Sequence, residues 1–143
     1  MVNTAKLTRI LVANTPRLMR DAVVATFAGQ PDIEVVGEVA ETHEILAKTR
    51  ATVPDVLIVD LDDTELRPAI CDQVLGEYPA LSVIAVASWK DRTICYWFAS
   101  HIHSQEIEAS PEGLLDAVRK TSTLRSDASG ARPAERRISP TAN

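Results

Sequence analysis

The chain has 143 residues, 45% of them hydrophobic and 24% charged, and its formal net charge is −5. A chain of this size can form one domain with a buried core, without disulfides or a structural metal. The negative charge gives no footprint for nucleic-acid binding, and no stretch approaches the roughly 18 uninterrupted apolar residues of a membrane span. The N-terminus lacks the apolar region of a signal peptide, so we expect a cytoplasmic protein.

Short apolar runs alternate along the chain with segments of helical spacing. The apolar runs predict five strands, at residues 10–13, 33–39, 54–61, 81–87 and 102–108. The other segments predict five helices, at residues 16–28, 42–52, 66–78, 91–101 and from Ser110 onward. Such an alternation is typical of a parallel sheet that is covered on both faces.

The C-terminal part of the chain has a different composition. From about Ser122 it is rich in Ser, Ala, Arg and Pro and poor in large apolar residues. We therefore predict a folded domain over residues 8–121 and a disordered tail over residues 122–143.

Cysteine and histidine are sparse in the chain. Cys71 and Cys95 lie within predicted apolar helices, which favours buried thiols in a reducing compartment over a disulfide framework. Cys95, His101 and His103 carry side chains of the types that bind zinc. However, Cys95 and His101 would not share a helical face at this spacing, and no fourth ligand is evident, so the sequence does not favour a metal site.

One carboxylate, Asp60, closes the β-branched run that begins at Pro54. A buried parallel strand that stops at an acid delivers a reactive group to the rim of an α/β sheet. At the ends of the neighbouring predicted strands, the matching residues are all uncharged: Asn14, Thr15, Ala87, Ser88 and Ile107.

Four segments, in this order, resemble the receiver domain of bacterial response regulators: Ile10–Ala13, Gln30–Glu38, Pro54–Leu61 and Ser110–Glu112. The chain is most similar to the LuxR/NarL-type branch, which usually carries a helix-turn-helix output domain. The resemblance implies a flavodoxin-like α/β fold. In that fold a doubly wound parallel sheet of five strands, in the order 2-1-3-4-5, is flanked by five helices.

The resemblance also implies a phosphorylation site, most of which is altered in this chain. Receivers hold an acid pair after the first strand, a phosphoacceptor Asp after the third, a hydroxyl after the fourth and a lysine after the fifth. The matching positions are Asp60 for the phosphoacceptor, Asn14 and Thr15 for the acid pair, Ala87 or Ser88 for the hydroxyl, and Ile107 for the lysine. Mg²⁺ needs carboxylate oxygens, so a single acid predicts weak cation binding and slow phosphotransfer.

An alternative stays open at the same position. Asp62 and Asp63 follow Asp60 closely and could rebuild a cation site there. The chain would then be a genuine phosphoreceiver of a two-component system, with Asp60 as nucleophile and Mg²⁺ as cofactor.

Aromatic residues concentrate in one segment. Four of the six Trp, Tyr and Phe residues lie between positions 89 and 98, and three of them fall in the helix predicted over residues 91–101, which is apolar on more than one face. One interpretation is that bulky rings cover a polar fifth strand. The other is a dimer or partner surface, because exposed aromatic patches mark interfaces. The resemblance places the usual receiver contact surface on this fourth-helix and fifth-strand face. The candidate interface residues are Trp89, Ile94, Tyr96, Trp97 and Phe98.

The sequence thus predicts a signalling and protein-interaction module that is not an enzyme, needs no cofactor and acts without phosphorylation. Its expected partner is a protein or a second copy of itself, and a sensor histidine kinase is a further candidate. The sequence shows no helix-turn-helix, so we expect no direct DNA binding. A small ligand in the crevice at the strand ends is a reserve hypothesis.

Overall fold

The structure is a computed structural model that describes residues 7–61, 67–87 and 92–130, with side chains described as far as Thr121. The strands are β1 Thr8–Val12, β2 Ile33–Glu38, β3 Val56–Asp60, β4 Ser82–Ala87, β5 Arg92–Ala99 and β6 His101–Ile107. The helices are α1 Arg17–Phe27, α2 Ile45–Thr52, α3 Ala69–Glu77 and α4 Pro111–Gly130, and a short 3₁₀ turn, Thr42–Glu44, precedes α2.

The strands form one sheet of six, in the order β2-β1-β3-β4-β5-β6. The first four are parallel, whereas β5 and β6 are antiparallel to their neighbours. Helices α1 and α4 cover one face of the sheet, and α2 and α3 cover the other. The central strands are buried on both faces, which explains why β3 is an almost continuous apolar run.

The α/β receiver class is confirmed, and the order of the first four strands is the expected 2-1-3-4. The helix predicted over residues 91–101 is wrong, because this segment forms strand β5. Its residues Thr93–Phe98 are β-branched and aromatic apart from Cys95, and such residues favour strands. A segment that is apolar on both faces suits a central strand as well as a buried helix, and here the strand forms.

The direction of β5 follows from the chain that precedes it. Only residues 88–91 connect β4 to β5. A parallel connection needs a crossover of a dozen or more residues, so a short link returns the chain antiparallel. The strand predicted over 102–108 does form, as β6, but it lies outside β5. Ser100, with φ of 73°, makes the tight turn between Ala99 and His101.

The last helix begins as the sequence predicted. The Ser110 hydroxyl accepts a hydrogen bond of 2.9 Å from the backbone N–H of Gly113, and Glu112 lies in the first turn. A Cβ at Gly113 would lie 2.2 Å from the carbonyl oxygen of Glu108, so the close approach of the preceding loop requires glycine. The helix continues to Gly130, past the predicted start of the tail at Ser122.

No helix in the described ranges has both the length and the apolar character that crossing a bilayer requires.

Candidate functional site

The ends of β1 and β3 lie side by side at one rim of the sheet. The backbone N–H of Ala13 donates a 2.8 Å hydrogen bond to the carbonyl oxygen of Ile58, which extends the parallel pairing to the point where β1 ends. Because parallel strands end at the same edge, the loop after β1 meets the last residue of β3, Asp60. This juxtaposition was expected from the resemblance and is present.

The Asp60 carboxylate accepts three hydrogen bonds from that loop. The side-chain amide of Asn14 donates to Oδ1 at 3.0 Å. The backbone N–H and the hydroxyl of Thr15 both donate to Oδ2, at 2.9 and 2.5 Å. Both carboxylate oxygens are therefore engaged by neutral donors. Hydrogen bonds to an ionised carboxylate are stronger than those between neutral groups, so these three contacts join residues 45 or 46 positions apart into a latch.

Asn14 is the buried part of this latch. Its side chain is fully buried, and its Oδ1 has no hydrogen-bond partner within the described part of the chain. The amide thus relies on Asp60 for the hydrogen bond that offsets its burial. A carboxylate at position 14 would instead place a second negative charge against Asp60.

Arg20 holds the other side of the same loop, a role that the sequence analysis missed. Its guanidinium Nη1 donates to the backbone carbonyl oxygens of Asn14 and Thr15, at 3.0 and 3.1 Å. Its Nε lies 3.6 Å from a carboxylate oxygen of Glu38. The only signal in the sequence is a basic residue in α1, close behind the rim loop.

Of the remaining described positions of the implied site, Ala87 lies at the same rim as Asp60, whereas Ile107 is two strands away from β4. Ala87 is buried at the end of β4 and carries no hydroxyl, and Ser88, Asp62 and Asp63 lie outside the described residues. Ile107 is at the end of β6, which is separated from β4 by β5, so the predicted position of the lysine equivalent beside β4 is wrong.

A positively charged residue, Arg92, nevertheless lies beside the end of β4. Arg92 begins β5 and pairs with Ala87, because β5 runs antiparallel and starts at this rim. Its Nε lies 3.5 Å from a carboxylate oxygen of Glu106. The sequence analysis missed Arg92, since it placed residues 91–101 in a helix, whereas this segment forms strand β5.

The described residues do not fit a magnesium ion. Asp60 is the one carboxylate of the implied set among them, and both of its oxygens already accept hydrogen bonds. Within the described ranges, no group of three or more His, Cys, Asp or Glu side chains is arranged to hold a metal. Mg²⁺ prefers several oxygen ligands with octahedral geometry, which one latched carboxylate does not supply.

The aromatic segment lies on β5 rather than on a helix. Ile94 and Tyr96 are core residues, 6% and 4% exposed, packed on the face that α3 covers. Trp97 is half-buried on the opposite face, and Phe98 is 38% exposed. Trp89 lies outside the described residues. Among the described residues, the candidate interface therefore narrows to Trp97 and Phe98.

Both cysteines are free and buried, as predicted, although Cys95 lies in β5 and not in a helix. Burial raises the pKa of each thiol to about 12, so both are protonated at neutral pH.

A cavity of about 210 Å³ lies between α1 and α4, beside the rim. Its walls include Met19, Val23, Ala87 and Leu114. The reserve hypothesis of a small ligand would use Asn14, Thr15 and Ser88. Asn14 and Thr15 are not among the described lining of this cavity, and Ser88 lies outside the described residues. The donors of Asn14 and Thr15 bind Asp60 instead.

Comparisons with known proteins support the class that the fold and the rim define. No family model matches the chain. Response regulator protein VraR of Staphylococcus aureus (strain NCTC 8325 / PS 47) is 30% identical over 118 residues, which are 80% of this chain and 56% of the relative. The same protein from strain Mu3 is 29% identical over the same length. The chain thus spans about half the length of the curated relatives it matches.

Solved structures agree in fold. The response regulator domain of Thermotoga maritima CheB has a TM-score of 0.51 and 17% identity, with 90% of this chain and all of that domain covered. The Salmonella typhimurium RcsB response regulator has a TM-score of 0.50 and 17% identity over 57% of this chain and 43% of that one. The chain is a receiver domain of the response-regulator type, as the resemblance predicted.

Proposed function

We propose that this receiver domain is a cytoplasmic signalling and protein-interaction module, that it is not an enzyme, and that it acts without phosphorylation of Asp60. The observation that carries the proposal is the latch: the carboxylate at the phosphoacceptor position accepts three hydrogen bonds from Asn14 and Thr15. In this proposal Asp60 is a structural acceptor that fixes the loop after β1.

Phosphoryl transfer places demands that the latch opposes. The attacking carboxylate oxygen must be directed at phosphorus, and a cation must neutralise the charge that develops on the phosphoryl oxygens. Here both oxygens already accept hydrogen bonds from the loop, which lowers their nucleophilicity, and one of them serves the buried amide of Asn14. Among the described residues, no group of three or more His, Cys, Asp or Glu side chains is arranged to hold Mg²⁺.

The proposed output surface is the β5–β6 hairpin. It occupies the part of the chain where the resemblance implied a fourth helix and a fifth strand, and it ends in the outermost strand of the sheet. Phe98 is exposed on this hairpin. We propose that a protein partner or a second copy binds here, that a sensor histidine kinase is a further candidate partner, and that the chain does not bind DNA directly.

Incubation with Mg²⁺ and a small-molecule phosphodonor is expected to leave the protein unmodified, because both Asp60 oxygens accept hydrogen bonds and the described residues contain no group of side chains that fits Mg²⁺. Intact-mass spectrometry, supported by peptide mapping, measures the result. A single added phosphoryl group that is absent from an Asp60→Asn variant would contradict the proposal and support the alternative, a phosphoreceiver with a cation site rebuilt from Asp62 or Asp63. Asp55→Asn is a control, because Asp55 precedes the same strand.

Phe98→Ala is expected to weaken self-association or partner binding while leaving the fold intact, since its ring is partly exposed on the hairpin. Size-exclusion chromatography with light scattering at several concentrations compares it with the parent. Leu18→Ala is the matched control, because Leu18 is 85% exposed on α1, away from the hairpin. Equal assembly of the parent and the Phe98 variant would count against this surface.

A further inference from the structure

The two histidines of β6 lie beside the turn of the β5–β6 hairpin. His101 and His103 are two positions apart on one strand, so their side chains project from the same face. The centroids of their rings are 4.2 Å apart. Neither the latch at Asp60 nor the proposed role of Phe98 uses these imidazoles.

The structure fixes the orientation of His103. Its Nε2 lies 2.9 Å from the carbonyl oxygen of Ala99, and because a carbonyl oxygen can only accept, Nε2 carries the proton. The lone pair of the neutral ring is then on Nδ1. Trp97 stacks against the same ring, with centroids 5.5 Å apart and planes 13° apart. A backbone carbonyl that takes the second ring N–H is the arrangement typical of metal-binding histidines.

We propose that His101 and His103 form a two-histidine site for a late first-row divalent cation such as Zn²⁺ or Ni²⁺. Neutral imidazole suits these ions and does not suit Mg²⁺ or Ca²⁺. Zinc–nitrogen bonds of about 2.0–2.1 Å with tetrahedral angles separate two ligand nitrogens by roughly 3.4 Å, and the two ring centroids lie 4.2 Å apart. His101 is exposed, so an ion has access from solvent.

The rest of the coordination shell comes from water. The described residues contain no group of three or more metal-binding side chains, so the site is a chelating pair rather than a closed structural centre. Cys95 does not contribute, because it is a buried, protonated thiol. The bound ion would bridge two residues of β6 next to the turn at Ser100.

Isothermal titration calorimetry of tag-free protein with ZnCl₂ tests the site. We expect one Zn²⁺ per chain, and no heat of binding with MgCl₂ at the same concentration. His101→Gln and His103→Gln should each weaken Zn²⁺ binding about tenfold or more, since losing a ligand costs at least as much as losing its outer-shell partner. His43→Gln is the control, because His43 is the third histidine of the chain and lies in the turn before α2.

Fluorescence provides an independent readout. In a Trp89→Phe background, Trp97 is the single tryptophan, and Ni²⁺ bound at His103 should quench its emission. The quenching should disappear in His103→Gln and persist in His43→Gln. Absence of Zn²⁺ binding to the parent, or equal binding by the parent and both His101 and His103 variants, would overturn the proposal. Asp60→Asn should bind Zn²⁺ like the parent, so the Zn²⁺ result does not depend on whether Asp60 is phosphorylated.

Discussion

Asp60→Ala is expected to lower the free energy of unfolding by about 3 kcal/mol, because it removes three hydrogen bonds to a charged acceptor and leaves the buried side-chain amide of Asn14 without its acceptor. The Asn14 side chain is fully buried, and its Nδ2 would lose the Asp60 oxygen to which it donates. The Thr15 contacts add less, since Thr15 is exposed and water can replace Asp60 as its acceptor. Urea unfolding followed by far-UV circular dichroism measures the change.

Asp21→Ala is the matched control for this experiment. Asp21 also interacts with a neighbouring group, the Arg17 guanidinium at 3.7 Å, but its side chain is 59% exposed. An exposed ion pair of this kind contributes little, so the control should change stability by less than about 0.5 kcal/mol.

Whether Asp60→Ala lowers or raises the free energy of unfolding distinguishes a structural role for Asp60 from a catalytic one. An acid kept for catalysis need not stabilise its own fold, and natural proteins often trade stability for activity at such sites. A structural latch must stabilise it. An Asp60→Ala variant as stable as the parent, or more stable, would therefore contradict the latch and revive the phosphoreceiver alternative.

The double substitution Asn14→Asp and Thr15→Asp is expected to destabilise the protein strongly without Mg²⁺ and to make it sensitive to Mg²⁺. Two donors to Asp60 become two negative charges beside it, one of them at a fully buried position. Burying an uncompensated charge costs about 3–5 kcal/mol. The three carboxylates would form the kind of oxygen cluster that Mg²⁺ binds.

Thermal unfolding with and without MgCl₂, at matched ionic strength, measures this effect. Ligand binding to the native state raises its stability by about 2.7 kcal/mol when the free ligand is at 100 times its dissociation constant. We expect a recovery of this order in the double variant and no shift in the parent. Stabilisation of the parent by Mg²⁺ would contradict the conclusion that the described residues of its rim do not fit the ion. A double variant whose thermal stability does not change with Mg²⁺ would show that positions 14 and 15 do not correspond to an acid pair.

The two predictions test the same rim from opposite directions. The first removes the acceptor and leaves the donors, and the second replaces the donors and leaves the acceptor. If the latch is correct, both variants are less stable than the parent, but only the second responds to the cation. Measuring both therefore distinguishes a structural role for Asp60 from a general sensitivity of the loop after β1.

Local patterns were sufficient to predict much of the fold. The buried run that ends at Asp60 and the capped helix start at Ser110 have strong local signals, since an apolar β-branched run and a serine cap act over only a few residues. The residues of the rim, Asn14 and Thr15, were also predicted to meet Asp60. Their roles as hydrogen-bond donors were not, because the sequence does not show which atoms face each other.

The hairpin was predicted incorrectly for a physical reason. Residues 92–99 are apolar on both faces, and burial on two faces is shared by a central strand and an enclosed helix. The resemblance to receivers favoured the helix, whereas the short link at residues 88–91 favours an antiparallel return. This one difference places Arg92 beside Ala87 and moves Ile107 to the outer strand.

By itself, the sequence determined that this chain is a receiver-type α/β domain with one acid at the end of its third strand and no acid pair after its first. These properties depend on residue identity and local periodicity, which a single chain displays directly. The tertiary structure alone decided that Asp60 is latched by Asn14 and Thr15, and that His101 and His103 meet beside the hairpin turn. Such contacts depend on strand direction and side-chain orientation, which are set only when distant segments pack together.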